Sequence, residues 1–184
     1  MYESATRHGL IHTHLVARSV PDTRVLARDT RRGVLIRLRR GVYVRADQFA
    51  AVTARERHVL RVRAADACAQ SPIVAAGLSA AALWQAPDVM PWPDEVTVLD
   101  RRRGGGRSDP GLRRTAADRD SAEIRVVDGI HATALPRTVL HVARRLPFEA
   151  AVGLLDWAIG PRCNALVSRD ELWDDLALMG PQTP

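Results

Sequence analysis

The run Val34-Leu-Ile-Arg-Leu-Arg-Arg-Gly-Val-Tyr-Val-Arg45 constrains this chain more than any other stretch. It reads as two short β runs around Arg39-Arg40-Gly41, a hairpin with a glycine in its turn. What precedes it reads as helical. Leu10–Val20 has the spacing of a short helix, with Ile11, Leu15 and Val16 on one apolar stripe. Ser19-Val-Pro-Asp22 then breaks and restarts the chain. Ser19 suits an N-cap, Pro21 a first turn, and Asp22 the third position of a box-like cap. A second helix is predicted over Asp22–Arg31, packed through Val25 and Leu26 and closed by Gly33. Helix, short break, second helix, basic hairpin is the order of a winged helix-turn-helix.

Charge sharpens that expectation. All 27 basic residues are arginine, and the chain has no lysine. Chemistry that needs an amine, such as a Schiff base or a phosphate-loop lysine, is thereby excluded. Residues 1–45 hold ten arginines against Glu3, Asp22 and Asp29, a net +7, although the whole chain carries only +6. Residues 147–184 hold six acids and two arginines, a net −4. A basic head and an acidic tail point to two surfaces with different partners.

The basic head suits double-stranded DNA. A helix fits the major groove, about 12 Å wide, where arginine pairs with guanine O6 and N7 through two hydrogen bonds. Arg24 and Arg28, one turn apart, are the expected base readers, with Arg31 or Arg32 on phosphate at the helix end. Arg37, Arg39 and Arg40 are the expected wing contacts. Tyr43 has two readings: a ring packed under the hairpin, or a hydroxyl on phosphate. Thr13 and His14 are either phosphate donors or ordinary surface polar residues.

Two stretches carry a resemblance. One is Gly9-Leu-Ile followed by Arg31-Arg-Gly-Val-Leu-Ile-Arg-Leu-Arg-Arg-Gly-Val-Tyr-Val44. The other runs from Leu135-Pro-Arg-Thr-Val-Leu-His through Leu146-Pro-Phe-Glu to Leu155-Asp-Trp-Ala158, and is followed by Val167-Ser-Arg-Asp-Glu-Leu172. Together they resemble AbiEi-type antitoxins of type IV toxin–antitoxin systems. The resemblance implies an N-terminal winged helix that binds inverted repeats in its own promoter. It also implies a C-terminal part that opposes a nucleotidyltransferase-type toxin. Some relatives add a Vsr-like nuclease domain; the chain ends at Pro184, so no such domain is expected.

The body reads as helices around a small sheet. Thr53–Ala69 is a predicted helix with Val59, Leu60, Val62 and Ala65 at helical spacing. Its Arg55, Arg57, Arg61 and Arg63 either extend the DNA surface or solvate the helix. Pro72–Ala76, Glu95–Leu99, Glu123–Val127 and Ile130–Ala134 are short strand candidates, the last two joined at Asp128-Gly129. Arg101–Arg107 is a glycine-rich basic loop. Helices are expected over Thr138–Arg145, Phe148–Ile159 and Ser168–Met179. The last is capped by Ser168 with Glu171, its Leu172, Leu176 and Met179 facing in and Asp170, Glu171, Asp174 and Asp175 facing out. Trp157 and Trp173 near that acidic face are core anchors, or, with Asp170 and Asp174, a partner-binding patch.

No catalytic constellation stands out. His8 and His12 have metal-ligand spacing but Gly9 lies between them and no third ligand is near. Cys68 reads as a small buried residue within a helix, and Ser79 lacks the second glycine of a nucleophile elbow. Asp88, Asp94, Glu95 and Asp100 cluster around a strand without a neat carboxylate pair. The expectation is a non-enzymatic α+β protein without cofactor or metal. A winged helix-turn-helix over residues 1–50 precedes a small antiparallel sheet packed with helices over 51–184. The chain contains no apolar run of membrane-spanning length, so a cytoplasmic repressor is expected, with homodimerisation left open. The alternatives are a stand-alone transcription factor without a toxin, a remnant of a nuclease-bearing relative, and a protein-interaction module that no longer reads DNA.

Overall fold

The computed structural model describes residues 6–14, 24–100, 110–115, 123–160 and 167–179. The chain divides into two units, residues 1–71 and 72–184. Both are mixed α and β, with seven helices and two sheets among the described residues. No helix among them is long and apolar enough to cross a membrane.

The first unit is built on a four-stranded antiparallel sheet. Its strands are β1 (Thr6–Arg7), β2 (Leu10–His12), β3 (Leu35–Arg39) and β4 (Val42–Arg45), in the order β1-β2-β4-β3. The predicted hairpin is present, with Arg40 and Gly41 between its strands. Leu10, however, does not begin a helix. Leu10–His12 is extended and pairs with β4 through Ile11↔Tyr43 and His12↔Val42, and helical backbone starts only at Thr13. The rest of that predicted helix and the Ser19–Asp22 break lie outside the described residues.

Helices cover both faces of this sheet. Helix α1 (Arg24–Arg31) lays Leu26 and Val25 against Ile11, Leu35 and Tyr43. On the opposite face Leu10, Val42, Val44, Ile36 and Leu38 pack with Phe49 of α2 (Ala46–Ala51) and with Leu60 and Ala64 of α3 (Ala54–Cys68). Helix α3 therefore belongs with the first unit, and the division falls after Ser71 rather than at the expected residue 50. Its start is a full capping box. The Thr53 hydroxyl accepts from the Glu56 N–H at 3.2 Å, and the Glu56 carboxylate accepts from the Thr53 N–H at 2.8 Å.

The second unit holds a five-stranded sheet of β5 (Val74–Ala75), β6 (Val96–Leu99), β7 (Leu112–Thr115), β8 (Ile124–Val127) and β9 (Ile130–Thr133). Their order is β7-β6-β5-β9-β8. The sheet is mixed, not antiparallel as expected: β5 runs parallel to β9 and β6 parallel to β7. Only β8 and β9 are joined by a tight turn, so only their direction was fixed locally. Helices α4 (Gly77–Leu83), α5 (Leu135–Ala143), α6 (Phe148–Ile159) and α7 (Arg169–Met179) complete the unit. Leu135, Val139 and Val142 of α5 form its main core with Ala81, Leu154, Ala158 and Val167.

One polar contact ties this core to α7. Arg137 of α5 is 1% exposed, and its Nε and Nη2 donate to Asp175 Oδ1 at 3.2 and 2.9 Å. Asp175 thus faces inward, against the sequence expectation, because a buried guanidinium needs a carboxylate more than a helix needs an even polar face. Helix α7 starts as expected: Ser168 Oγ accepts from the Glu171 N–H, and Glu171 accepts from the Ser168 N–H.

Two predictions follow from these contacts. Asp175→Ala should destabilise the chain by about 3 kcal/mol, the scale for removing one partner of a buried pair, read from urea unfolding. A loss under about 0.5 kcal/mol, the range of ordinary surface substitutions, would mean that α5 and α7 do not lean on this contact. The second concerns pH. Hydrogen bonds from the backbone N–H and then the hydroxyl of Thr53 hold the Glu56 carboxyl below its ordinary 4.5, and Ser168 does the same for Glu171. A carboxyl lowered in the folded chain stabilises fully above its unfolded value and loses that contribution as pH falls through the folded value. Unfolding midpoints should therefore drop below pH 4.5, and less steeply in the Glu56→Gln/Glu171→Gln variant. An unchanged slope in that variant would place the acid sensitivity elsewhere.

Candidate nucleic-acid interface

Helix α1 is too short to be stable alone, so its docking decides which face it shows. Leu26 points into the sheet and is 2% exposed. With 100° between successive residues, Arg24, Arg28 and Arg31 then fall on one outward stripe, and all three are exposed. The helix ends in a paired turn: Gly33 N–H donates to the Thr30 carbonyl at 3.1 Å and Val34 N–H to the Asp29 carbonyl at 2.9 Å. That ending needs a left-handed residue, and Gly33 supplies it at φ +72°. Arg32 is exposed just before it.

The arginines of the stripe are held differently. Arg28 Nε donates to Asp29 Oδ1 at 3.1 Å. Arg31 Nε donates only to a neutral group, the Ala27 carbonyl one turn back, at 3.4 Å. On the hairpin, Arg37 stands opposite Tyr43 in the register and so emerges on the sheet face that α1 covers. Its Nε donates to the Arg39 carbonyl at 3.4 Å across an irregularity that leaves Leu38 as the extra residue. Arg39 is half-buried, and Arg40 is exposed in the turn. The Tyr43 ring is half-buried and packs with Ile11, Leu26 and Leu35, which fits the first of its two sequence readings.

The turn itself is tied down from both flanks. Thr13 donates its N–H and its hydroxyl to the Gly41 carbonyl, at 2.9 and 3.1 Å. The Cys68 thiol donates to the Arg40 carbonyl at 3.4 Å. Cys68 is therefore not buried within a helix, as its alanine neighbours suggested; it is exposed at the end of α3 and reaches back to the hairpin. Partial burial raises its thiol pKa, and the nearby Arg39 guanidinium opposes that rise. The roles of Thr13 and Cys68 carried no local sequence signal, because both depend on contacts 28 residues away.

Other basic residues are committed to packing. Asp47 binds Arg45 Nε and Nη2 at 3.1 and 2.7 Å. That pairing lowers the Asp47 carboxyl and raises the Arg45 guanidinium. Arg57 and Arg61 lie over the Phe49 ring, 5.9 and 5.1 Å from its centre, and Arg57 also donates to the Val52 and Ala50 carbonyls. Arg55, Arg57, Arg61 and Arg63 on α3 are all half-buried, and of these Arg57 and Arg61 join α2 to α3.

The remaining candidates separate. His12 is buried in β2, its ring 5.5 Å from that of His14, and His8 sits in the turn before it. Among the described residues no three His, Cys, Asp or Glu side chains group to hold a metal ion. Ser79 is buried, and its Oγ accepts the Thr97 N–H at 2.8 Å. In the second unit, Trp157 is half-buried against the core with Leu154 and Ala158, whereas Trp173 is 68% exposed. Asp170 and Asp174 are exposed beside Trp173 on α7. The loop over residues 101–107 lies outside the described residues.

No protein-family model matches the chain, and no curated protein matches it.

The hairpin turn generates a direct test. Gly41 sits at φ +80°, where a side chain is strained. Gly41→Ala should cost about 1 kcal/mol in urea unfolding. Equal stability would show that the turn relaxes without its glycine.

Proposed function

We propose that the first unit is a winged-helix DNA-binding module and that the protein is a sequence-specific repressor acting on its own promoter. In this reading α1 enters the major groove, and the β3–β4 hairpin is the wing beside it. The observation that carries the reading is the stripe of Arg24, Arg28 and Arg31 on the outward face of a helix fixed from below by Leu26. The hairpin packed against that helix adds Arg37, Arg39 and Arg40, and its turn is pinned by Thr13 and Cys68. A wing held in place can fix register on the backbone while the helix reads bases.

The antitoxin role rests on the resemblance in sequence and remains part of the proposal. Its support in the second unit is Trp173, a large exposed aromatic group flanked by the exposed carboxylates Asp170 and Asp174. Exposed aromatics with a charged rim are the usual anchors of protein contacts, and the acidic rim suits a basic partner such as a nucleotidyltransferase-type toxin. A stand-alone transcription factor would share the first unit and need no such anchor.

The test is a mobility shift on the fragment upstream of the gene, with unrelated DNA as competitor, at several salt concentrations. A specific shift should survive the competitor. With about six phosphates neutralised, log affinity should fall with log salt at a slope of roughly −5. Arg31→Ala and Arg32→Ala should each make that slope shallower by about 1 and weaken all sequences alike. A shift erased by any DNA would reduce the first unit to a non-specific cation. Absence of any shift would sink the repressor reading.

A further inference from the structure

We infer that Asp29 holds Arg28 as the guanine-reading residue of α1, so that one G·C pair in the target site is recognised through this two-residue device. The inference rests on the DNA-binding reading above and adds to it a division of labour among the arginines.

Asp29 is the residue after Arg28, turned 100° round the helix towards the interior, and its side chain is only 13% exposed against 49% for Arg28. The Arg28 side chain therefore crosses from the solvent face to meet a carboxylate near the core, with Nε–H donated to Oδ1 at 3.1 Å. Asp29 is itself held, because its backbone carbonyl accepts the Val34 N–H in the turn that ends the helix. A carboxylate on Nε fixes the guanidinium plane. It leaves the two terminal nitrogens, the edge that matches guanine O6 and N7, for an outside acceptor.

Comparison with other pairs in the chain shows what is particular here. Asp47 takes both Nε and Nη2 of Arg45, which closes that side of the fork, and both residues are exposed. Asp175 likewise takes Nε and Nη2 of Arg137, deep in the core of the second unit. Arg31 and Arg37 donate Nε to backbone carbonyls, so each keeps its full charge for phosphate. Arg28 has an oriented fork whose charge is offset by its neighbour. Such a group is a weak phosphate ligand and a good donor to a base edge. Its contribution should therefore appear in sequence preference and hardly at all in salt dependence.

The experiment is selection of binding sites from a randomised 20-base-pair duplex pool with the full chain. Affinities are then measured for the selected duplex with each base pair at each position. Wild type should prefer G·C at one position by roughly tenfold to a hundredfold. Arg28→Ala should abolish the preference there, leave the other positions alone, and keep the salt slope. Asp29→Asn keeps the side-chain shape but removes the charge. It should weaken the preference severalfold at the same position while steepening the salt slope by about 1, because Arg28 regains its full charge. Opposite effects on preference and slope are a signature that mere loss of structure would not give. Arg28→Ala alters an exposed side chain and keeps the test open if Asp29→Asn fails to fold, which thermal unfolding would reveal. Full retention of the preference in Arg28→Ala, or in a folded Asp29→Asn, overturns the inference while leaving the repressor reading intact. A wild type that selects no sequence overturns the reading itself.

Discussion

Everything proposed for the first unit depends on a three-residue strand. Leu10–His12 pairs with β4, and through Ile11 and Leu10 it contributes to two separate cores, one on each face of the sheet. The face holding Ile11, Leu35 and Tyr43 receives Leu26 and orients α1. The face holding Leu10, Val42 and Val44 receives α3 and brings Cys68 to the hairpin turn. An eight-residue helix has little intrinsic stability, so its outward stripe of arginines is set by this docking and by little else. Weakening the strand would release the helix and its turn together.

The same strand explains where sequence reasoning ran short. A half-buried strand announces itself by alternation, but Leu10, Ile11 and His12 are all buried because helices cover both faces of the sheet. With alternation gone, Ile11, Leu15 and Val16 read as a helical stripe. By contrast the β3–β4 hairpin, the Gly33 ending and the Ser168 cap were legible, because each is decided by chemistry within a few residues. Strand β7 lacks a sequence signal for a different reason. Leu-Arg-Arg-Thr buries only its leucine, and its pairing is a parallel one with a strand not joined to it by a tight turn. Parallel pairing has no local signature, so the second sheet was expected to be antiparallel throughout.

The exposure of the candidate arginines was largely legible in the sequence, but the partners that divide them were not. Arg24, Arg28, Arg31, Arg37 and Arg40 are exposed as expected, while Arg39 is half-buried. What no spacing rule conveys is which arginine answers to which carboxylate. Asp29 counts in the sequence only as one of three acids against ten arginines, yet it is turned towards the core and takes hold of Arg28. In the second unit Asp175 counts as one of four acids on α7, yet it serves Arg137 across the core. The acidic face left to solvent is correspondingly narrower, centred on Asp170, Asp174 and the exposed Trp173 rather than on both tryptophans.

Net charge is therefore a poor guide to the field a nucleic acid would meet. The +7 of residues 1–45 already subtracts Asp29, the partner of Arg28, but it still counts Arg45 in full, although Asp47 just beyond that segment matches it. Beyond that segment, Arg57 and Arg61 lie over the Phe49 ring, which fixes their position without offsetting their charge. Arg31 and Arg37 are the counterpoint, bonded to backbone carbonyls that leave their charge whole, and Arg32 and Arg40 lie exposed where the helix and the hairpin turn. Phosphate attraction scales with the number of phosphates a protein neutralises, whereas base preference scales with donors held in one orientation. An all-arginine surface can supply both from a single residue type, and on the proposed reading the Asp29 carboxylate sets Arg28 apart for the second.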